Sequence, residues 1–264
     1  MIGILVANFK GGVSKTTTAA ALASGLKKRG YRILSVDLDA QGNLTTSAGL
    51  VAEAIPLTVR DLLEKKDSFD DVVIEDTTIG DLIACNLNLI DADRVFTRIG
   101  DHKLLKKALS AVEDRYDFAI MDCPPYPGIM AFSGMTATKY VIIPVNAAAF
   151  SIQGVDYLNT VTQMIREDDN PNQKDLGILI TRYNPRTRFG KEASEAIRQI
   201  AESMGTTVFN STIRQAVAVE ESQAQRQDIL TAAPTSRVAQ DYESFVDEVL
   251  ERLQAEGEEI RRPE

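Results

Sequence analysis

Residues 9–18 read FKGGVSKTTT, a glycine pair followed by a lysine and three threonines. Gly11 and Gly12 let a backbone turn tightly and approach the oxygens of a ligand. Lys15 is placed to reach the β- and γ-phosphates of a nucleotide, and the Thr16 hydroxyl suits a Mg²⁺ ion. The usual phosphate loop has a glycine, four residues and then Gly-Lys-Ser/Thr. Counted back from Lys15, the two glycine positions fall on Phe9 and Ser14, and a further lysine, Lys10, precedes the glycine pair. If the backbone needs a positive φ at Ser14, serine costs on the order of 1 kcal/mol there. If φ is negative, the serine hydroxyl can donate to a phosphate oxygen. Two further segments end in carboxylates: VDLDAQGN (36–43) holds Asp37 and Asp39, and FAIMDCPP (118–125) holds Asp122. Phosphoryl transfer needs a metal ion, an oriented water and neutralised charge, so acidic groups near a phosphate loop have work to do. They can equally be helix caps, and for Asp37 both readings stay open.

Such groups need elements to position them. Continuous apolar runs at 2–9, 32–39, 117–122, 139–145 and 176–183 predict strands buried on both faces. Shorter strand signals lie at 81–90 and 206–210. Helical spacing covers 15–29, closed by Gly30, and also 57–66, 102–115, 151–168, 190–205 and 235–254. This alternation predicts an α/β fold, a mostly parallel twisted sheet with helices on both faces. In such a sheet, ligands bind at the carboxyl ends of the strands. FKGGVSKTTT lies there, where the backbone donors of the first helix attract phosphate. No linker or repeat divides the chain, so one domain over 1–254 is expected, with a charged, frayed tail over 255–264.

Composition narrows the chemistry. The chain has 264 residues, 44% hydrophobic and 25% charged, with a net charge of −9 and no tryptophan. Cys85 and Cys123 are not at C-x-x-C spacing, so neither a zinc site nor a disulfide framework is suggested and a reducing cytoplasm fits. The single histidine, His102, reads as a solvated residue at a helix start. The apolar stretches at 1–9 and 141–150 are too short to span a membrane.

KGGVSKTT resembles the deviant Walker A sequence K-G-G-x-G-K-T-T of the ParA/MinD ATPases. VDLDAQGN is similar to the family's V-D-x-D-P-Q-G-N segment, FAIMDCPP to its Walker B segment, and VIIPV (141–145) matches in kind and order. Within the family the chain resembles the small ParA (Soj-type) proteins. The resemblance implies a P-loop NTPase-like fold binding ATP and Mg²⁺ through Lys10, Gly11, Gly12, Val13, Ser14, Lys15, Thr16 and Thr17. It implies that Lys10 crosses a homodimer interface to the partner's phosphates. It also implies that Asp39 positions the attacking water or the magnesium shell, and that Asp122 holds Mg²⁺ through water. Pro124, Pro125 and Gly128 are expected to form one switch loop, and Gln41, Gly42 and Asn43 the other. Adenine is expected between the turn at 182–185, where Asn184 is the candidate contact, and TIRQ (212–215), which lacks the family's proline.

Between 182 and 198 the basic residues are Arg182, Arg186, Arg188, Lys191 and Arg198, opposed by Glu192 and Glu195; Arg214 follows. A local basic patch suffices for binding double-stranded DNA without sequence preference. The resemblance implies such binding by an ATP-bound dimer, with Arg188, Lys191 and Arg214 as candidate contacts, a ParB-like adaptor as activator and a nucleoid-associated cytoplasmic location. The resulting expectation is a slow, partner-stimulated ATPase for DNA partitioning. A MinD-like membrane-positioning ATPase is the alternative, but it needs a basic amphipathic end, and DEVLERLQAEGEEIRRPE is mostly acidic. A scaffold with little hydrolysis, in which Ser14 has reduced turnover, is another. An iron-protein-like reductase would need cysteines placed to share a cluster across a dimer.

Overall fold

Ile4 and Val6 face one side of the first strand while Leu5 faces the other, and all three are fully buried. That alternation repeats in every central strand and makes a sheet with a core on each face. The computed structural model describes residues 1–149 and 152–260. Its eight strands are β1 (Ile2–Val6), β2 (Ile33–Asp37), β3 (Val73–Thr77), β4 (Gly80–Ile83), β5 (Phe118–Asp122), β6 (Tyr140–Asn146), β7 (Lys174–Tyr183) and β8 (Val208–Arg214). Their spatial order is β3-β4-β2-β5-β1-β6-β7-β8. Every pairing is parallel except β3 with β4.

One core packs Leu5, Val36, Met121, Ile143 and Ile180 against residues of the helices Leu104–Ser110, Ile129–Ala137, Ile152–Asp168 and Arg188–Ser203. The other packs Ile4, Val6, Ile120, Ile142 and Leu179 against the helices Lys15–Lys28 and Arg237–Ala255. The register sets Asp122, at the end of β5, opposite Val6 of β1 and Asp37 of β2. The carboxyl ends of three adjacent strands therefore meet at one place.

Several expectations change. The first apolar run stops being a strand at Val6, which releases residues 7–14 as a loop. The 81–90 signals contribute only β4, because the chain then turns through short helical segments. The antiparallel β3 and the helix Ile129–Ala137 were not in the sequence reading. The latter is apolar nearly all round, so it has no helical stripe to detect. His102 is half-buried rather than solvated and lies 3.0 Å from Asp169 at the end of the helix Ile152–Asp168, beside Lys103 on the same carboxylate. The tail is held as far as 260, since Glu256 pairs with Lys174, Glu258 with Lys139 and Tyr140, and Ile260 packs on the second core. Residues 261–264 lie outside the described residues, as do Phe150 of the apolar stretch at 141–150 and Ser151 of the predicted helix at 151–168.

The helix Ile129–Ala137 follows the Asp122 strand end, and its far end is fastened by side chains from elsewhere. Asn170 Nδ2 donates to the carbonyls of Met135, Thr136 and Thr138 at 3.0, 3.2 and 2.7 Å. Gln173 Nε2 adds a second donor to Met135. These bonds satisfy carbonyls that a helix end leaves unpaired. Asn170→Ala is expected to lower stability by about 2 kcal/mol, because it strands buried acceptors. A urea titration measures this as a lower midpoint with an unchanged slope.

Candidate nucleotide-binding site

The chain leaves β1, loops through residues 7–14 and enters the helix Lys15–Lys28. No side chain caps that helix, and its first turn carries no acidic residue. Its leading N–H groups and partial positive charge are thus presented to an anion. Gly12 has φ 72° and Ser14 φ 69°, so the loop passes twice through left-handed backbone. The open question at Ser14 is thereby answered. The family's glycine position demands positive φ, and serine meets it at a strain cost of about 1 kcal/mol. Nothing crowds the Cβ positions of Gly11 and Gly12, which stand in open space.

Lys15 is 8% exposed, and its Nζ donates to the Lys10 carbonyl at 3.1 Å, so its charge lies over the loop. Lys10 is half-buried, with its N–H donating to Asn8 Oδ1 at 3.0 Å. Three polar side chains absent from the sequence reading anchor this loop. Asn8 Nδ2 donates to the Pro144 carbonyl at 2.9 Å, Asn146 Nδ2 to the Gly12 carbonyl at 3.3 Å, and Thr181 Oγ1 to the Val13 carbonyl at 3.2 Å. Their only sequence signal is a single polar residue closing an apolar run.

The carboxylates divide by role. Asp37 is fully buried and saturated: its Oδ2 accepts from the Thr45 N–H and hydroxyl, both at 2.8 Å, and its Oδ1 from the Asp39 N–H at 3.2 Å. Asp37 therefore fastens the short helix Asn43–Ser47 behind the segment at 41–43. Burial pushes its carboxyl up to about 6 despite the Thr45 donors. The Asp39 carboxylate accepts one hydrogen bond among the described residues, from the Gln41 N–H at 3.1 Å. Asp122 is also fully buried; its Oδ2 accepts from the Thr16 hydroxyl at 2.6 Å, while its Oδ1 has no hydrogen-bond partner. Burial, then the neighbouring Asp37, raise the Asp122 carboxyl well above the ordinary range; the Thr16 bond and Lys15 oppose this. The fold thus brings Asp122 and Thr16 together. Gly42 has φ 62°, and a Cβ there would lie 2.7 Å from Ala52 Cβ and 2.9 Å from the Cys85 carbonyl, so the turn accepts no side chain. In the segment after Asp122, Asp93 Oδ1 accepts from the Ile129 N–H at 2.6 Å just after Gly128.

The predicted base-binding segments come together. Tyr183 of β7 pairs with Arg214 of β8, and a cleft of about 420 Å³ lies between the turn at 183–186, Thr212, Arg214, Gln215 and the start of the last helix. Asn184 lines it, although its Oδ1 already accepts from the Arg186 N–H at 3.0 Å. Ser14 lies beside Arg214 and Gln215 in an adjoining small recess.

The candidate DNA contacts do not form one group. Arg188 and Lys191 are exposed in the first turn of the helix Arg188–Ser203, with Arg198 two turns further along that face; Arg188 pairs with Glu192 at 2.7 Å. Arg214 departs from the expectation. It lines this cleft, and its guanidinium makes two bonds to Asp241, at 2.6 and 2.7 Å, which compensate its charge.

Ser14→Gly relieves the left-handed strain and is expected to add about 1 kcal/mol of stability. For a domain of this size, that is a rise of about 2–4 °C in Tm, measurable by calorimetry on the protein without nucleotide.

The chain matches the AAA domain family over residues 1–175. It is 33% identical over 252 residues to the chromosome-partitioning ATPase Soj of Treponema pallidum, spanning 94% of this chain and 97% of that one. It is 31% identical over 250 residues to the sporulation initiation inhibitor protein Soj of Bacillus subtilis, spanning 93% and 97%. Cobyrinic acid a,c-diamide synthase from Mycobacterium smegmatis, solved with bound ADP and magnesium, superposes with a TM-score of 0.84 at 28% identity, covering 99% of this chain and 98% of that one. Similarity of this extent, together with the variant phosphate loop and its paired carboxylate strands, means that the chain belongs to the ParA/Soj-type ATPases of the ParA/MinD deviant Walker A family.

Proposed function

We propose that this protein is an ATP-dependent switch for DNA partitioning, dimeric and DNA-bound with ATP and released by hydrolysis. The observation that carries the nucleotide part is the Thr16–Asp122 pair. Asp122 keeps one buried oxygen without a hydrogen-bond partner, at the foot of an uncapped helix and beside Lys15. A buried carboxylate oxygen left unpaired is costly and fits an ion or ordered water. No group of three or more acidic, histidine or cysteine side chains that could cage a metal occurs among the described residues. That suits Mg²⁺, which keeps several waters and takes few protein ligands. Thr16 and Asp122 would hold it, with Asp39 at the edge of its water shell. When bound, Mg²⁺ supplies positive charge to the phosphate oxygens.

The remaining work falls to this chain's own groups. The loop N–H groups and Lys15 bind the β- and γ-phosphates. Asp39, with a single backbone bond, orients the attacking water. Lys10 brings further positive charge to the transferring phosphoryl group, across the interface of a homodimer. The turn at 182–185 and Gln215 receive adenine. Arg188 and Lys191 contact DNA phosphates, whereas Arg214, held by Asp241, shapes the base cleft instead. Hydrolysis is slow until an adaptor of the ParB kind engages the dimer. The names of the Soj relatives support this reading over the amide-forming activity named for the mycobacterial structure. No described helix is long and apolar enough to cross a membrane. The helix Arg237–Ala255 carries more acidic than basic residues, which disfavours its lying on an anionic membrane.

Lys15→Ala is expected to abolish the heat of MgATP binding. Lys10→Ala is expected to keep binding but lose ATP-dependent dimers and turnover, read by light scattering and phosphate release. Unchanged dimerisation and hydrolysis in Lys10→Ala would remove the role given to that lysine. Arg188→Ala combined with Lys191→Ala is expected to weaken DNA binding in ATP regardless of sequence. The slope of log K against log salt should fall by about two, one unit per phosphate contact. DNA binding by that variant equal to wild type would refute the proposed surface.

A further inference from the structure

The Gly12 and Val13 carbonyls are both held from the sheet side, by Asn146 at the end of β6 and Thr181 near the end of β7. A peptide is planar and trans, so its N–H points opposite its carbonyl. Drawing these two carbonyls toward β6 and β7 turns the Val13 and Ser14 N–H groups the other way, into the loop. Both donors sit in a rigid setting. Thr181 is fully buried, Asn146 is 7% exposed, and Asn146 Oδ1 accepts from the Ala148 N–H at 2.8 Å, which settles which end of its amide faces Gly12. Val13 is itself 2% exposed, so the peptide joining it to Ser14 is fixed at its first residue by packing and by Thr181.

The second residue of that peptide is where strain resides. Ser14, at φ 69°, occupies backbone that a serine leaves readily when nothing holds it. We infer that Thr181 and Asn146 are positioning residues for the triphosphate, and that the Thr181 bond is what lets serine stand at position 14 without loss of the phosphate cradle. The inference rests on the nucleotide reading given above and adds to it how the variant loop is kept in shape. Glycine at position 14 would adopt the left-handed backbone at no steric cost and depend less on Thr181.

Calorimetric titration with MgATP tests this in wild type, Thr181→Val, Thr181→Ser, Asn146→Ala, Ser14→Gly and the double variant Ser14→Gly/Thr181→Val. Thr181→Val keeps the shape and removes the donor. It is expected to weaken MgATP binding about five- to tenfold, the worth of one net hydrogen bond. Thr181→Ser, which keeps the hydroxyl, should restore affinity to within about twofold, and Asn146→Ala should lose a similar five- to tenfold. In the Ser14→Gly background, the loss from Thr181→Val should shrink to about twofold or less, a coupling that general destabilisation would not produce. Should Thr181→Val fail to fold, Thr181→Ala is read against the same criteria in both backgrounds. Wild-type affinity in folded Thr181→Val and Asn146→Ala overturns the positioning role. An equal loss from Thr181→Val in both backgrounds overturns the link to Ser14. Absence of MgATP binding by the wild-type protein overturns the nucleotide reading and this inference with it.

Discussion

Two carboxylates, Asp37 and Asp122, stand opposite each other at the buried ends of adjacent parallel strands. Removing such charges from water is costly, and the Asp37 carboxylate adds to the burial that raises the proton affinity of Asp122. The surrounding architecture answers that cost. Asp37 is met by Thr45 and the Asp39 N–H, which pins the short helix Asn43–Ser47 to the sheet. Asp122 is met on one oxygen by Thr16 and electrostatically by Lys15, which ties the first helix to β5. Its second oxygen keeps no hydrogen-bond partner, and it is this oxygen that the proposed function gives to a hydrated magnesium ion.

The loop solves a second problem with neutral groups. A phosphate cradle needs its amides turned inward and its carbonyls turned outward, and outward carbonyls in a packed protein need donors. Asn146 and Thr181 supply them from β6 and β7, strands on the far side of β1 from Asp122. The loop is thus held between two halves of the sheet. One half carries the acidic groups and the segments at 41–43 and 124–128. The other carries the cleft at 183–186 and the basic helix start at Arg188.

Much of this was legible in the sequence for a plain reason: the parallel sheet buries its strands on both faces, so apolar runs such as those at 32–39 and 117–122 stand out without alternation. The phosphate loop was legible because glycines and a lysine at a strand-to-helix junction have few other uses. The helix Ile129–Ala137 was illegible, since burial on every side erased the amphipathic stripe that marks a helix. The division of labour between Asp37 and Asp39 could not be read either, as both close the same apolar run and only hydrogen bonding separates a carboxylate engaged on both oxygens from one with more capacity to spare. Arg214 reads as one more cation in a basic segment until Asp241, 27 residues later, is seen to neutralise it.

The sequence by itself determined the fold class, the place of the phosphate loop and the identity of its charged groups, because these depend on local pattern and residue type. Tertiary structure decided the rest. It set the sign of φ at Ser14, which follows from how the loop must join β1 to the first helix. It chose which polar side chains reach that loop, since Asn146 and Thr181 come from strands more than a hundred residues away. It left one oxygen of Asp122 unpaired, a property of packing among three strands and a helix that no single segment encodes.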